Sequence, residues 1–145
     1  MTAPPAALKN GSAPAHRTLL PPGWPKPRGY ANGVLAEGKL VVLGGQIGWD
    51  VEGVFSTTFV GQVRQTLCNI VDILAEGGAG PEHLVRLTWF VTDMEQYTFN
   101  LKAIGAVYRE ILGTNYPSMS LLQVVRLAEA AAMVEIEATA VVLAG

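Results

Sequence analysis

The reading of this chain turns on NYPSMSLLQVVRLAEAAAMVEIEATAVVLAG, residues 115–145. Met119, Leu121, Gln123 and Val125 alternate with Ser120, Leu122 and Val124, and the later run MVEIEATAVVL alternates as well, so the stretch reads as two strands of a closing hairpin. Strand side chains alternate with period two, which sets Val134, Ile136, Ala138 and Ala140 on one face and Glu135, Glu137 and Thr139 on the other. The first is a core face. The second carries two carboxylates that either meet solvent or line a cleft.

Charge is scarce in the rest of the chain. Of 145 residues, 50% are hydrophobic and 15% charged, against a usual charged share of about 25%. A surface so poor in charge predicts burial against other copies of the chain. The net charge of −2, with no run of Lys or Arg, argues against nucleic acid as a partner. No apolar run approaches the roughly 18 residues of a spanning helix, which argues against a membrane partner. Cys68 has no second cysteine and falls in a helical pattern, so it reads as a small core residue. His16, Cys68 and His83 lack the spacing of a zinc site, and no metal is expected. Residues 1–16, MTAPPAALKNGSAPAH, have no signal-peptide pattern and read as a mobile arm ahead of one domain over 17–145, with a cytoplasmic location expected.

Working back from the closing stretch, His16–Leu20 suits a short edge strand. LPPGWPKPRGYANG follows, with four prolines and three glycines in fourteen residues, an irregular loop that carries Trp24 and Tyr30. Val34–Ala36 and Lys39–Ile47 read as strands joined by a two-residue turn at Glu37-Gly38. The second of these ends near Gly44-Gly45, where the bare backbone allows close approach. Apolar residues spaced by three and four predict a helix from Phe59 to Ala79, closed by Gly77-Gly78, and another from Met94 to Leu112, stopped by Gly113. HLVRLTWFVTD between them is strand-like. The order β, β, β, α, β, α, β, β predicts an α+β domain of two layers, with both helices on one face of a mixed sheet of five or six strands. The uncovered sheet face again calls for self-association.

With these elements in place the sequence resembles the Rid family, the reactive-intermediate deaminases of the YjgF type. The resemblance runs over about residues 29–142. It is carried by Gly29-Tyr30-Ala31, Gly44-Gly45-Gln46-Ile47, the Gln62–Leu74 helix, Val91-Thr92-Asp93-Met94, Tyr116-Pro117 and Val134-Glu135-Ile136-Glu137-Ala138. It implies a chorismate-mutase-like homotrimer whose sheets form a central barrel and whose clefts lie between subunits. It also implies hydrolysis of enamines and imines, such as 2-aminoacrylate, to 2-oxo acids and ammonia without a cofactor.

Carried over residue by residue, the resemblance makes Glu137 the carboxylate that positions water and Tyr30 a cleft hydroxyl for substrate or water. Gly44, Gly45 and Gln46 would form the cleft wall. The family clamps the substrate carboxylate with an Arg two residues after the motif proline, a task suited to a guanidinium fork. Here that place is Met119. A thioether offers no charge, so another cation would have to serve, Arg126 or Arg28 being nearest in sequence, or the substrate differs. Together with Tyr30 and Trp24, Met119 would favour a larger or more apolar substrate. The leading expectation is an imine or enamine hydrolase. The alternative is a trimeric small-molecule-binding or scavenging protein with weak chemistry. Ribonuclease activity, attributed to some relatives, ranks third for want of a basic groove.

Overall fold

The computed structural model describes residues 16–143. The elements are β1 (Arg17–Leu19), β2 (Gly33–Leu35), β3 (Lys39–Ile47), α1 (Phe59–Glu76), β4 (Leu84–Val91), α2 (Met94–Phe99), α3 (Leu101–Leu112), β5 (Ser118–Gln123) and β6 (Val134–Val142). Most of the arm expected over residues 1–16 lies outside the described residues. His16 is described, and its Nε2 lies 2.9 Å from the His83 carbonyl oxygen.

α1 forms where Thr58 caps the chain, its hydroxyl accepting from the Gly61 N–H at 3.0 Å. Val63, Leu67, Ile70 and Leu74 then repeat at helical spacing, and all four are fully buried. α3 buries Ile104, Val107, Tyr108 and Ile111 in the same way. Both stripes meet one face of the sheet, where Leu87, Trp89, Val134, Ile136, Ala138 and Ala140 are also buried. The expected two-layer α+β arrangement is thus the observed one, and the period-two reading of β6 holds residue by residue. No described helix is long and apolar enough to cross a membrane.

Three expectations are corrected. The closing stretch is not a hairpin, because β6 lies between β3 and β4, antiparallel to both, and β5 pairs with β4 in parallel. Parallel neighbours need a crossover, and α2 and α3 supply it between β4 and β5. β2 does not turn back onto β3 either. It pairs with β1 in a separate two-stranded ribbon, which leaves a main sheet of four strands in the order β3-β6-β4-β5. The ribbon reaches the β5 edge through a bridge from Ala31 to Ser118, with the Ala31 N–H donating to the Pro117 carbonyl at 2.9 Å. Gly38, at φ +147°, is held against the Val142 carbonyl, where a Cβ would collide with backbone. Finally, the long second helix is broken at Asn100, whose amide nitrogen donates to the Gln96 carbonyl at 2.5 Å and whose N–H caps Tyr97. An Asn side chain that bonds to nearby backbone competes with helix continuation.

Candidate functional site

The registers decide which residues can meet. Paired residues in a sheet share a face, and Leu87 pairs with both Met119 and Ala138, whereas Thr88 pairs with Ser120 and Glu137. Met119 therefore points to the helix side, packed against the main core, and Glu137 points to the opposite side. The family resemblance implies one cleft that holds both. Within one protomer the sheet separates them.

On the Glu137 face, β3 carries a bulge. Leu43 pairs with Ala138 and Gln46 with Ile136, so Gly44 and Gly45 together oppose the single residue Glu137. The two glycines serve different ends. A Cβ on Gly45 would collide with the Glu135 carboxylate, which is seated against that backbone, whereas a Cβ on Gly44 would meet nothing. Gly44 therefore offers open backbone beside an exposed Glu137, while Glu135 is half-buried. The Gln46 amide donates to the Gly44 carbonyl at 3.3 Å, which stiffens the bulge. The face around these groups is mixed, with Leu40 and Val42 67% and 66% exposed and Leu122 exposed too, and with exposed Arg86 beside Thr88, Ser120 and Thr139. Ile47 and Leu127 form a small second cluster there, with Phe90 against it.

On the Met119 side, β4, β5, α2, α3 and the loop at Arg28 line a half-open cavity of about 290 Å³. Its walls are aromatic. Tyr108 stacks on Tyr116 at 5.3 Å between centroids and 10° between planes, and Trp89 meets Tyr97 edge to face at 6.1 Å. Burial, and then Tyr116 beside it, pushes the Tyr108 phenol well above its ordinary range. It stays protonated and donates to the Asn115 carbonyl at 2.6 Å. Burial likewise raises Tyr97. Arg28 and Arg109 also line the cavity, and no carboxylate does.

Of the residues expected at a site, only Met119 and Arg28 line this cavity, together with Gly29. Tyr30 is 41% exposed one residue beyond Gly29, and Trp24 is 58% exposed in the proline-rich loop. Arg126 is exposed in the β5–β6 connection and does not line the cavity. Trp89 is core, and Trp49 is partly exposed against Phe55. Among the described residues no group of three or more His, Cys, Asp or Glu converges as a metal site.

Arg109, Gly105 and Tyr97 were not singled out from the sequence. The available signal was a stripe at spacings of four, Tyr97, Leu101, Gly105 and Arg109, which runs from α2 into α3 and carries a small residue one turn before a cation.

Residues 25–142 match the family described as Endoribonuclease L-PSP. A RutC family protein of Synechocystis is 31% identical over 124 residues, covering 81% of this chain and 89% of that protein. The mitochondrial protein mmf1 of Schizosaccharomyces pombe is 32% identical over 76% of this chain, which spans 63% of that longer protein. Among solved structures, a Rid-family protein of Yersinia pestis superposes with a TM-score of 0.77 at 27% identity, covering 88% of this chain and 99% of its own. A YjgF-family member from Mycobacterium tuberculosis follows at 0.61 and 30% identity, over 79% and 88% of the two chains. The observed architecture is thus similar to the chorismate-mutase-like fold of these proteins.

Proposed function

The chain belongs to the Rid family, which the L-PSP, RutC and YjgF matches share, and on that premise we propose that it is a cofactor-independent imine and enamine hydrolase working as a homotrimer. The observation that carries the reading is Glu137, an exposed carboxylate over a glycine bulge with open approach at Gly44, on a sheet face that also bears exposed Leu40, Val42 and Leu122. Exposed Leu40, Val42 and Leu122 support burial of that face against another copy. A neighbouring copy is also what would bring a cavity on one side of a sheet to a carboxylate on the other side of the next.

In the proposed reaction an enamine first tautomerises to the imine, taking a proton on carbon and losing one from nitrogen. Glu137 then draws a proton from water as the water oxygen bonds to the imine carbon, and the C=N electron pair moves to nitrogen, which is protonated. In the resulting carbinolamine the O–H proton passes, net, to nitrogen, so that the C–N bond breaks with its electron pair leaving on ammonia and the O–H pair closes the C=O bond of the carbonyl compound. Tyr30 would hold substrate or water through its hydroxyl. Met119 and the tyrosine walls would accept a bulky apolar side chain.

The test is ammonia and 2-oxo acid release from imines generated in place by an amino acid oxidase, with phenylalanine- and alanine-derived imines compared. The aromatic imine is expected to turn over at least about tenfold faster, the scale on which apolar fit discriminates. Equal rates, or a faster alanine-derived imine, would refute the substrate part of the proposal. One observation favours a second reading: Met119, a thioether, stands where the resemblance to the family implies a clamping Arg. Saturable binding with no release above the buffer rate would establish that binding or scavenging role instead. RNA cleavage is not expected, because 10 Lys and Arg against 12 Asp and Glu leave no excess of positive charge to follow a phosphate backbone.

A further inference from the structure

We propose that Arg109 on α3, assisted by Arg28, is the carboxylate clamp of this protein, and that it selects arylalkyl 2-imino and 2-oxo acids in the aromatic cavity behind Met119. The proposal rests on the hydrolase reading only for the imino form of the ligand. The binding claim stands on the cavity itself.

Three independent features converge there. The first is charge: the lining holds two guanidinium residues and no carboxylate, and among the described residues neither Arg28 nor Arg109 has an ion-pair partner. The neighbouring Glu110 is taken up by Arg64 on α1. A concave wall with unopposed positive charge attracts an anion, and a guanidinium grips a carboxylate through two parallel N–H bonds. The second is an orphan donor. Trp89 is 1% exposed and forms part of the cavity wall, and its buried Nε1–H has no acceptor. Buried donors are almost always paired, so this unmet donor in the wall is a feature that core packing alone does not explain.

The third feature is room for the guanidinium itself. Gly105 lies one helical turn before Arg109, and a Cβ on it would stand 3.4 Å from the Arg109 guanidinium. Arg109 is thus folded back along its own helix over the bare glycine, toward the cavity that both residues line. The cation missing from position 119 is replaced from the opposite wall. That change moves the anion site away from β5 and leaves Met119 and the stacked Tyr108 and Tyr116 to face an aryl group. A cavity of about 290 Å³ is at the lower end of small-ligand sites and suits a single ring with a short acid tail.

The experiment is equilibrium binding, by calorimetry, of phenylpyruvate, pyruvate and the uncharged phenylacetone to the wild type, Arg109→Gln and the double variant Arg109→Gln/Met119→Arg. The wild type is expected to prefer phenylpyruvate over both others by at least about tenfold. Arg109→Gln is expected to weaken phenylpyruvate by about tenfold and leave phenylacetone unchanged, since only a charged contact is lost. Returning the cation to β5 in the double variant is expected to restore carboxylate binding, which repair of a merely structural defect would not do. Arg109 is exposed, so the fold survives the change. Equal loss for phenylpyruvate and phenylacetone in Arg109→Gln, or no loss for either, would overturn the clamp. Charge-selective binding without ammonia release from the corresponding imine would refute the hydrolase reading and leave the clamp standing.

Discussion

Replacing Gln62 with leucine is expected to lower the stability of the protein by about 3 kcal/mol, although the two side chains have similar bulk. Gln62 is 1% exposed on α1 and joins three segments. Its Nε2 donates to the carbonyls of Ser56 and Ala131, both at 3.0 Å, and its Oε1 accepts from the Met133 N–H at 2.8 Å. Leucine would preserve the apolar packing and orphan three backbone groups, each costing about 1 kcal/mol or more when buried without a partner. Glutamate would keep the bond to Met133 but set a charge beside two carbonyl oxygens, so it should be no better than leucine. Gly48 crosses the same point, where a Cβ would stand 2.8 Å from the Gln62 Cα, and the contact cannot relax by moving a side chain. Denaturant unfolding at fixed protomer concentration reads the effect, as does a fall in Tm of about 10 °C. A change below about 1 kcal/mol would mean that water satisfies these groups and that Gln62 does not anchor the entry to β6.

Glu137→Ala is expected to reduce kcat for an aryl imine by about 10²- to 10³-fold, with little change in KM, because a positioned base acts on the chemical step and not on binding. The residue is exposed, and its removal leaves the core intact. Glu135→Ala is the informative companion. Its carboxylate lies on Gly45, two residues from Glu137 on the same face, so its loss is expected to disturb the bulge and reduce turnover more mildly. Full activity in Glu137→Ala with a large loss in Glu135→Ala would move the role two residues along β6.

Much of the architecture was legible because period and spacing are local. The alternation from Val134 to Val142 and the stripe from Val63 to Leu74 each state an element and its buried face. Pairing is not local, and the two alternating runs of the closing stretch say nothing about their neighbours. The ten residues between Gln123 and Val134 are long for a hairpin loop, and that length was the one hint that β5 and β6 are apart. The break at Asn100 was hidden because the apolar stripe continues through it. The cavity was hidden for a related reason: Arg109 and Met119 come to line one cavity only when the crossover returns the chain from β4 to β5. The face of Met119 followed from a register that no sequence pattern prints.

The account depends on a site shared between copies, with the aromatic cavity from one protomer and Glu137 from the next. Subunit complementation tests it most directly. Glu137→Ala and Gly105→Phe, which fills the cavity mouth, are each expected to be nearly inactive alone. Co-refolded in equal amounts, they are expected to recover about a quarter of wild-type turnover, the share of interfaces in a random cyclic trimer that pair an intact cavity with an intact carboxylate. Activity in the mixture no greater than the sum of the two separate proteins would contradict the shared site.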